Sequence, residues 1–329
     1  MIVRAEQAEL FLICQGRRYA ESGRLFFNPS GAGFKGRFRG KALSLALFSE
    51  PIEKGRNAYI RLTLDGRTRR SRLPHGEKTL SLALSEGEHS FEVVKLTESQ
   101  NNSLALVRAE TEGFFLPQED TRTLSVEFIG DSITAGFGVL AKSPCGEYKT
   151  SEQDVTKAFP HLVSRALGAR YHIVAAGGWP IWRSKYSPYA IPDFYDHVDL
   201  LRNADKWDFS RFRPDVIVVT LGTNDYSYLA DLPEEERRKG RAEVKTHFLA
   251  FIRRLLKQGV PVVLVYGFFD YPDLGVMTEE VAREIGSDRI STLEVRSARS
   301  LDDVCAGHPG KKTHRLAASR LTRVIRDLL

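Results

Sequence analysis

The sequence predicts two domains in tandem: an N-terminal β-sandwich (jelly roll) over residues 1–118, and a three-layer α/β/α domain around a parallel sheet over residues 122–329. Three observations predict it. The chain has 329 residues, more than one compact core usually serves. Up to about Leu116 it consists of short alternating segments separated by Gly- and Asp-containing turns, with no sustained helical period. After that point, apolar runs suited to doubly covered parallel strands alternate with helical patterns.

In the first half, KALSLALF (Lys41 to Phe48), YIRLTL (Tyr59 to Leu64), LSLAL (Leu80 to Leu84) and SFEVVKL (Ser90 to Leu96) read as strands. Asp65-Gly66 is a hairpin signal. The basic run RTRRSR (Arg67 to Arg72) follows it directly and is expected to line the solvated side of that hairpin. The polar, Pro-containing stretch from Leu116 to Arg122 reads as the linker. In the second half, strands are expected at Leu124 to Ile129, Tyr171 to Ala175, Val216 to Leu221 and Val260 to Tyr266. Helices are expected at Val155 to Leu167, Pro233 to Lys257, Thr278 to Ile285 and Lys311 to Leu329. The cluster PEEERRKGRAEVK (Pro233 to Lys245) starts acidic and turns basic, which suits the dipole of a solvated helix.

Composition bounds the function. Apolar residues make up 42% and charged residues 27%, as in ordinary soluble globular chains. No run approaches the roughly 18 uninterrupted apolar residues of a membrane span, so no membrane partner is expected. The formal charge of +6 comes with no nucleic-acid motif, so nucleic acid is not an expected partner either. The N-terminal MIVRAEQAELFLICQGRR has neither a basic leader nor a small-residue cleavage site. A cytoplasmic location follows as the expectation, or a secreted one if a leader has been removed. Three cysteines, Cys14, Cys145 and Cys305, form no disulfide framework and no paired ligand spacing, which favours a reducing compartment. No metal and no cofactor are expected. Nothing in the chain speaks to oligomeric state.

The chemistry gathers at the strand ends, where open α/β sheets bind ligands. VEFIGDSITAGFG (Val126 to Gly138) sets Ser132 just past the first strand, followed by small residues. A serine hydroxyl is a weak nucleophile unless a base takes its proton and donors stabilise the oxyanion. The second strand runs into Gly177-Gly178, whose bare backbone lets an N–H approach a substrate oxygen; it is equally an ordinary tight loop. The third strand ends in Gly222-Thr223-Asn224-Asp225, where Asn224 is either an amide donor or a plain turn residue. His308 stands before Pro309 at a loop-to-helix junction, the setting of a general base or of a surface histidine. His314 falls within the helical pattern and is read as non-catalytic. A classical α/β-hydrolase is not expected, since no Gly-x-Ser-x-Gly elbow surrounds Ser132.

Each feature has a bland reading, but their conjunction resembles the SGNH (GDSL) hydrolases, whose four blocks carry serine, glycine, asparagine and histidine in this order. The Gly130–Thr134 and Gly222–Asp225 strings carry the likeness. With a β-sandwich ahead of it, the chain is similar to the two-domain acetylesterases of the second carbohydrate-esterase family. WDFSRFRPDVIVVTLGTNDYS (Trp207 to Ser227) and GEHSFEVVKLTES (Gly87 to Ser99) resemble that family's sequences. The resemblance implies Ser132 as nucleophile, His308 as general base, and an oxyanion hole of the Ser132 and Gly178 N–H groups with the Asn224 side chain. It leaves Asp131 a structural role in the turn. It implies removal of O-acetyl groups from plant-cell-wall saccharides such as acetylated xylan or mannan. Another SGNH ester substrate, or a protein that only binds carbohydrate, remains as an alternative.

The chain departs from the pattern in two places. The position three residues before the histidine, usually an aspartate, is Cys305. A Ser-His dyad is therefore expected, with a main-chain carbonyl of the Cys305 to Gly307 loop orienting the imidazole and Asp303 as the rival. Pro180 also replaces the second glycine usual in the block-two loop. Trp179, Trp182, Tyr226 and Tyr228 lie in the loops flanking the site, either to stack on sugar faces or to pack the domain.

Overall fold

A computed structural model describes residues 1–142, 147–295, 302 and 304–329. The N-terminal half is an antiparallel sheet of ten strands dominated by two long ones, Gly33–Ser49 and Gly76–Lys95. They pair from Gly33 opposite Val94 to Ser49 opposite Gly76, with a register shift between Gly40 and Ala42. Before the shift, the first long strand also pairs with Ile13–Gln15 and Phe114–Phe115; after it, with Ala105–Thr111. A bulge at which strands change neighbours turns a sandwich corner. The two layers so formed close on Phe34, Phe38, Leu43, Leu45, Phe91, Val93 and Leu106, all buried. The segments Leu80 to Leu84 and Ser90 to Leu96, read as separate strands, are therefore two arms of one bent strand. Gly87, opposite Gly40, is the turn-like signal that split them in the sequence.

The hairpin turn at Asp65-Gly66 has left-handed φ at both residues, +46° and +78°, as a two-residue hairpin of type I′ requires. It joins Ala58–Leu64 to Arg67–Leu73. The basic strand is mostly exposed, as expected, but Arg70 turns inward and donates to the carbonyls of Ser151 and Gln153.

The C-terminal half holds five parallel strands: Ser125–Gly130, Arg170–Ala175, Val216–Thr220, Val262–Tyr266 and Ile290–Glu294. Their spatial order is second, first, third, fourth, fifth, so the chain leaves the first strand in one direction and returns on its other side. This switch point is where such sheets open a crevice. Alternate residues of each strand face opposite layers. Val216 and Val218 pack with Phe159, Val163, Leu321 and Ile325 of helices Phe159–Leu167 and Lys311–Leu328. Ile217 and Val219 pack with Val244, Phe248, Ile252 and Val281 of helices Glu234–Leu256 and Pro272–Ile285. The fifth strand and the short helix Thr223–Leu229 were not expected. ISTLE is a half-buried edge strand without a continuous apolar run, and the helix opens on Gly-Thr-Asn-Asp, which reads as a turn.

The two halves meet through polar groups taken out of water. Arg17 pairs with Glu127 at 3.2 Å, both side chains 2% exposed, and also donates to the carbonyls of Tyr195 and His197. Asn28, buried, donates its Nδ2 hydrogen to Asp199 Oδ2 at 2.6 Å. Tyr171 donates its hydroxyl hydrogen to the Gly31 carbonyl. No helix among the described residues is long and apolar enough to cross a membrane.

Candidate active site

Ser132 follows the first strand at the start of a single helical turn, Ser132–Ala135. Asp131 caps that turn: its Oδ1 accepts from the Ile133 N–H at 3.0 Å. His308 lies across from it, and Ser132 Oγ and His308 Nε2 are 2.8 Å apart. Behind the imidazole, His308 Nδ1 donates to the Cys305 carbonyl at 3.0 Å. That bond selects the tautomer with an unprotonated Nε2 facing the serine. The expected dyad geometry is present, and it is the Cys305 carbonyl that supplies it. Asp303 lies outside the described residues. Asp302 is committed elsewhere, accepting from the Lys312 and Thr313 N–H groups at the start of the last helix.

The loop carrying that carbonyl is tightly wound. Ala306 and Gly307 have left-handed φ of +51° and +74°, and the Cys305 carbonyl also accepts from the His308 N–H. A left-handed alanine costs roughly 1–3 kcal/mol and persists only where its surroundings impose it. Here Gly138 lets the loop press close, because a Cβ at Gly138 would sit 2.8 Å from Cys305 Cβ. Cys305 is also disulfide-bonded, which corrects the expectation of no disulfide; Cys14 is free, and Cys145 lies outside the described residues. The local sequence could not disclose a pairing that depends on long-range approach.

His308 is held between two rings, Phe137 tilted by 36° at 4.4 Å and Phe269 edge-on at 5.3 Å. Burial there disfavours the imidazolium and pushes the pKa down to about 4, against the pull of the Cys305 and Ala306 carbonyls. His314 is fully buried, 0% exposed, and its Nδ1 accepts from the Phe159 N–H, away from the serine.

Gly178 follows the second strand in a turn closed by the Trp179 N–H on the Ala176 carbonyl. Its φ of +80° suits the third residue of a type II turn, where glycine is favoured. Asn224, on the helix after the third strand, is buried, and its Nδ2 donates to Asp131 Oδ2 at 3.3 Å and to the Trp179 carbonyl at 3.1 Å. Ser132, Gly178, Asn224 and His308 line one cavity of about 360 Å³.

Asp225 anchors the whole second-block loop. Its Oδ2 accepts from the Ile181 N–H, and its Oδ1 from those of Trp182 and Arg183. Burial pushes its pKa up to about 7, against these three bonds, which pull it down. Asp225 thus holds the Pro180 loop in place without the usual second glycine. Asp225→Asn would turn an amide NH₂ toward one of those N–H groups. The expected cost is about 1–3 kcal/mol of stability, measured as a lowered denaturation midpoint.

Of the two readings of the flanking aromatic residues, packing holds. Trp179 and Tyr226 are buried in the core, while Trp182 and Tyr228 pack against the same cluster; none of them lines this cavity. Its aromatic wall is Phe137, Tyr186, Phe269 and Tyr271. These rings lie in loops without periodicity, so only the fold reveals them. The cavity also takes in Gln100, from the N-terminal half, which the motif reading did not reach. Among the described residues, no cluster of histidine, cysteine and carboxylate groups could hold a metal ion.

The sequence pattern of the GDSL-like lipase/acylhydrolase family matches residues 128–320, the segment that carries Ser132, Gly178, Asn224 and His308. The chain belongs to this family. Ahead of it, residues 14–118 match the carbohydrate esterase 2 N-terminal domain. The GDSL-family chain is 26% identical, over 298 residues, to an acetylxylan esterase/glucomannan deacetylase of Cellvibrio japonicus; this covers 86% of the chain and 80% of the relative. Two solved structures share its fold. A family two carbohydrate esterase from Cellvibrio japonicus superposes with a TM-score of 0.85 at 23% identity, over 100% of this chain and 97% of that one. An acetyl xylan esterase from the rumen bacterium Butyrivibrio proteoclasticus gives 0.86 at 19% identity, over 99% and 98%.

Proposed function

We propose that this GDSL-family chain is a serine acetylesterase that removes O-acetyl groups from plant-cell-wall saccharides, such as acetylated xylan or mannan or their oligosaccharides, through an acyl-enzyme. The observation that carries the proposal is the relay from Ser132 Oγ through His308 to the Cys305 carbonyl, with spacings of 2.8 and 3.0 Å. The deacetylase named among the relatives supports the substrate class.

Ser132 Oγ attacks the acetyl carbonyl carbon while His308 Nε2 takes the hydroxyl proton. The negative oxygen is met by the Ser132 and Gly178 N–H groups and by the Asn224 amide, which redirects one hydrogen from its present partners. Each such donor is worth roughly 2.7–4 kcal/mol in the transition state. The C–O bond to the sugar then breaks, and His308 returns the proton to the departing sugar hydroxyl. Water, deprotonated by the same imidazole, attacks the acetyl-serine and releases acetate.

Product analysis by NMR on positionally defined acetylated xylo- and manno-oligosaccharides tests the substrate class. Preference for acetyl-sugars over p-nitrophenyl esters of longer acyl chains is expected. Faster turnover of long-chain esters would overturn it.

The pH profile follows from the histidine. His308 must be neutral to accept the proton, and its pKa is pushed down to about 4. kcat/KM is therefore expected to be flat from neutrality down to roughly pH 5 and to fall about tenfold per unit below the histidine pKa. An acid limb near the ordinary value of about 6.5 would contradict that burial effect.

A further inference from the structure

The loop that follows the long sandwich strand Gly76–Lys95 carries Glu98, fully buried, and reaches into the catalytic half. Glu98 Oε2 accepts from the Gly177 N–H at 2.6 Å, one residue before the proposed oxyanion donor Gly178. Glu98 Oε1 accepts from Gln153 Nε2 at 3.1 Å. The same Gln153 nitrogen donates to the carbonyl of Ala135 at 3.0 Å, in the helical turn that begins with Ser132. Gln153 is clamped in return, since its Oε1 accepts from the Glu98 N–H and from the Tyr148 hydroxyl. One carboxylate of the sandwich therefore ties together the two backbone segments that present the Ser132 and Gly178 N–H groups. Gln100, two residues on, donates to Glu98 Oε2 and lines the cavity itself.

From this geometry we infer that Glu98 is a positioning residue for the oxyanion hole, supplied by the N-terminal domain to the catalytic one. The inference rests on the serine-esterase reading of the same site. The physical reason is the direction of the donors. A glycine pair has little intrinsic preference for one peptide orientation. A buried acceptor on the Gly177 N–H holds the preceding peptide, and the turn then aims the Gly178 N–H. A donor aimed before the reaction stabilises the developing charge without reorganisation, and one left to rotate does not. Burial pushes the Glu98 pKa up to about 7, against the Gly177 N–H bond, the Lys95 charge and the Gln153 bond, which pull it down.

Reach and charge can be separated in the full chain. Glu98→Asp keeps the carboxylate but withdraws it by about 1.5 Å, one C–C bond, beyond hydrogen-bond distance of Gly177. Glu98→Gln discards the charge and keeps an oxygen on the Gly177 N–H, but turns its NH₂ toward that of Gln153 and so gives up that second tie. On p-nitrophenyl acetate, kcat is expected to fall roughly ten- to a hundredfold in Glu98→Asp and Glu98→Ala with KM within twofold. Glu98→Gln should fall clearly less than Glu98→Asp, because the Gly177 N–H keeps its acceptor. The rate at which a fluorophosphonate labels Ser132 should fall in the same ratios, because the phosphonyl oxygen uses the same donors. Labelling needs no acetylated sugar, so a wrong substrate class would leave this test intact while failing the oligosaccharide assay. The inference is overturned if Glu98→Asp keeps kcat and labelling within threefold of wild type, or if Glu98→Gln falls as far as Glu98→Asp. Should Glu98→Ala not fold, the Asp and Gln variants decide it between them.

Discussion

Ser132→Ala is expected to lower kcat for acetyl-ester hydrolysis by roughly 10⁴- to 10⁶-fold with the fold intact, and His308→Ala by a similar factor. On the proposed mechanism the two residues act as a unit, the Ser132 Oγ proton passing to the His308 Nε2 that it touches. The double variant should therefore be no slower than either single one. Additive losses would mean that the two groups serve separate steps. The Cys305 carbonyl on Nδ1 adds a second arm to this experiment. Losing an orienting carboxylate costs about 10⁴ in kcat where one is used. Asp303→Asn is expected to change kcat by no more than a few-fold, because a backbone carbonyl already orients the ring. A fall of several orders of magnitude would replace the dyad with a triad.

Glu127→Leu is expected to be the most damaging change away from the site. Glu127 lies on the first parallel strand, pairs with Arg17 of the sandwich, and accepts from the Tyr195 hydroxyl at 2.6 Å. Arg17 would be left as a buried charge without its carboxylate, facing main-chain carbonyls and the rings of Tyr195, Trp207 and Phe209, at a cost of about 3–5 kcal/mol. Thermal unfolding should show a fall in Tm on the order of 10 °C. Combining it with Arg17→Met should recover part of that loss, since no charge is then stranded. A shift of under about 3 °C in the single variant would show that the pair does not join the two halves.

A disulfide at Cys305 bears on the cell-biological expectation. Three scattered cysteines argued for a reducing compartment, and a bonded Cys305 removes that argument.

Local pattern disclosed the parts of this protein that depend on local pattern. Four of the five parallel strands, their alternation with helices, and the four blocks at the strand ends are written in runs of a few residues. A strand buried on both faces must be a continuous apolar run, and a nucleophile at its end must be followed by small residues. So Ser132, His308, Gly178 and Asn224 were singled out from the chain alone, and the fold sets all of them on one cavity. The tertiary structure decided everything that depends on which distant segments touch. It chose the Cys305 carbonyl as the partner of His308, and it sent Trp179 and Tyr226 into the core while Phe137 and Phe269 enclosed the imidazole. It also brought Glu98 to Gly177 across 79 residues. A hydrogen bond or a ring contact is settled by position in space, and a main-chain carbonyl leaves no mark on residue identity. For that reason His308 and a loop carbonyl behind it were readable, while the particular carbonyl, that of Cys305, was not.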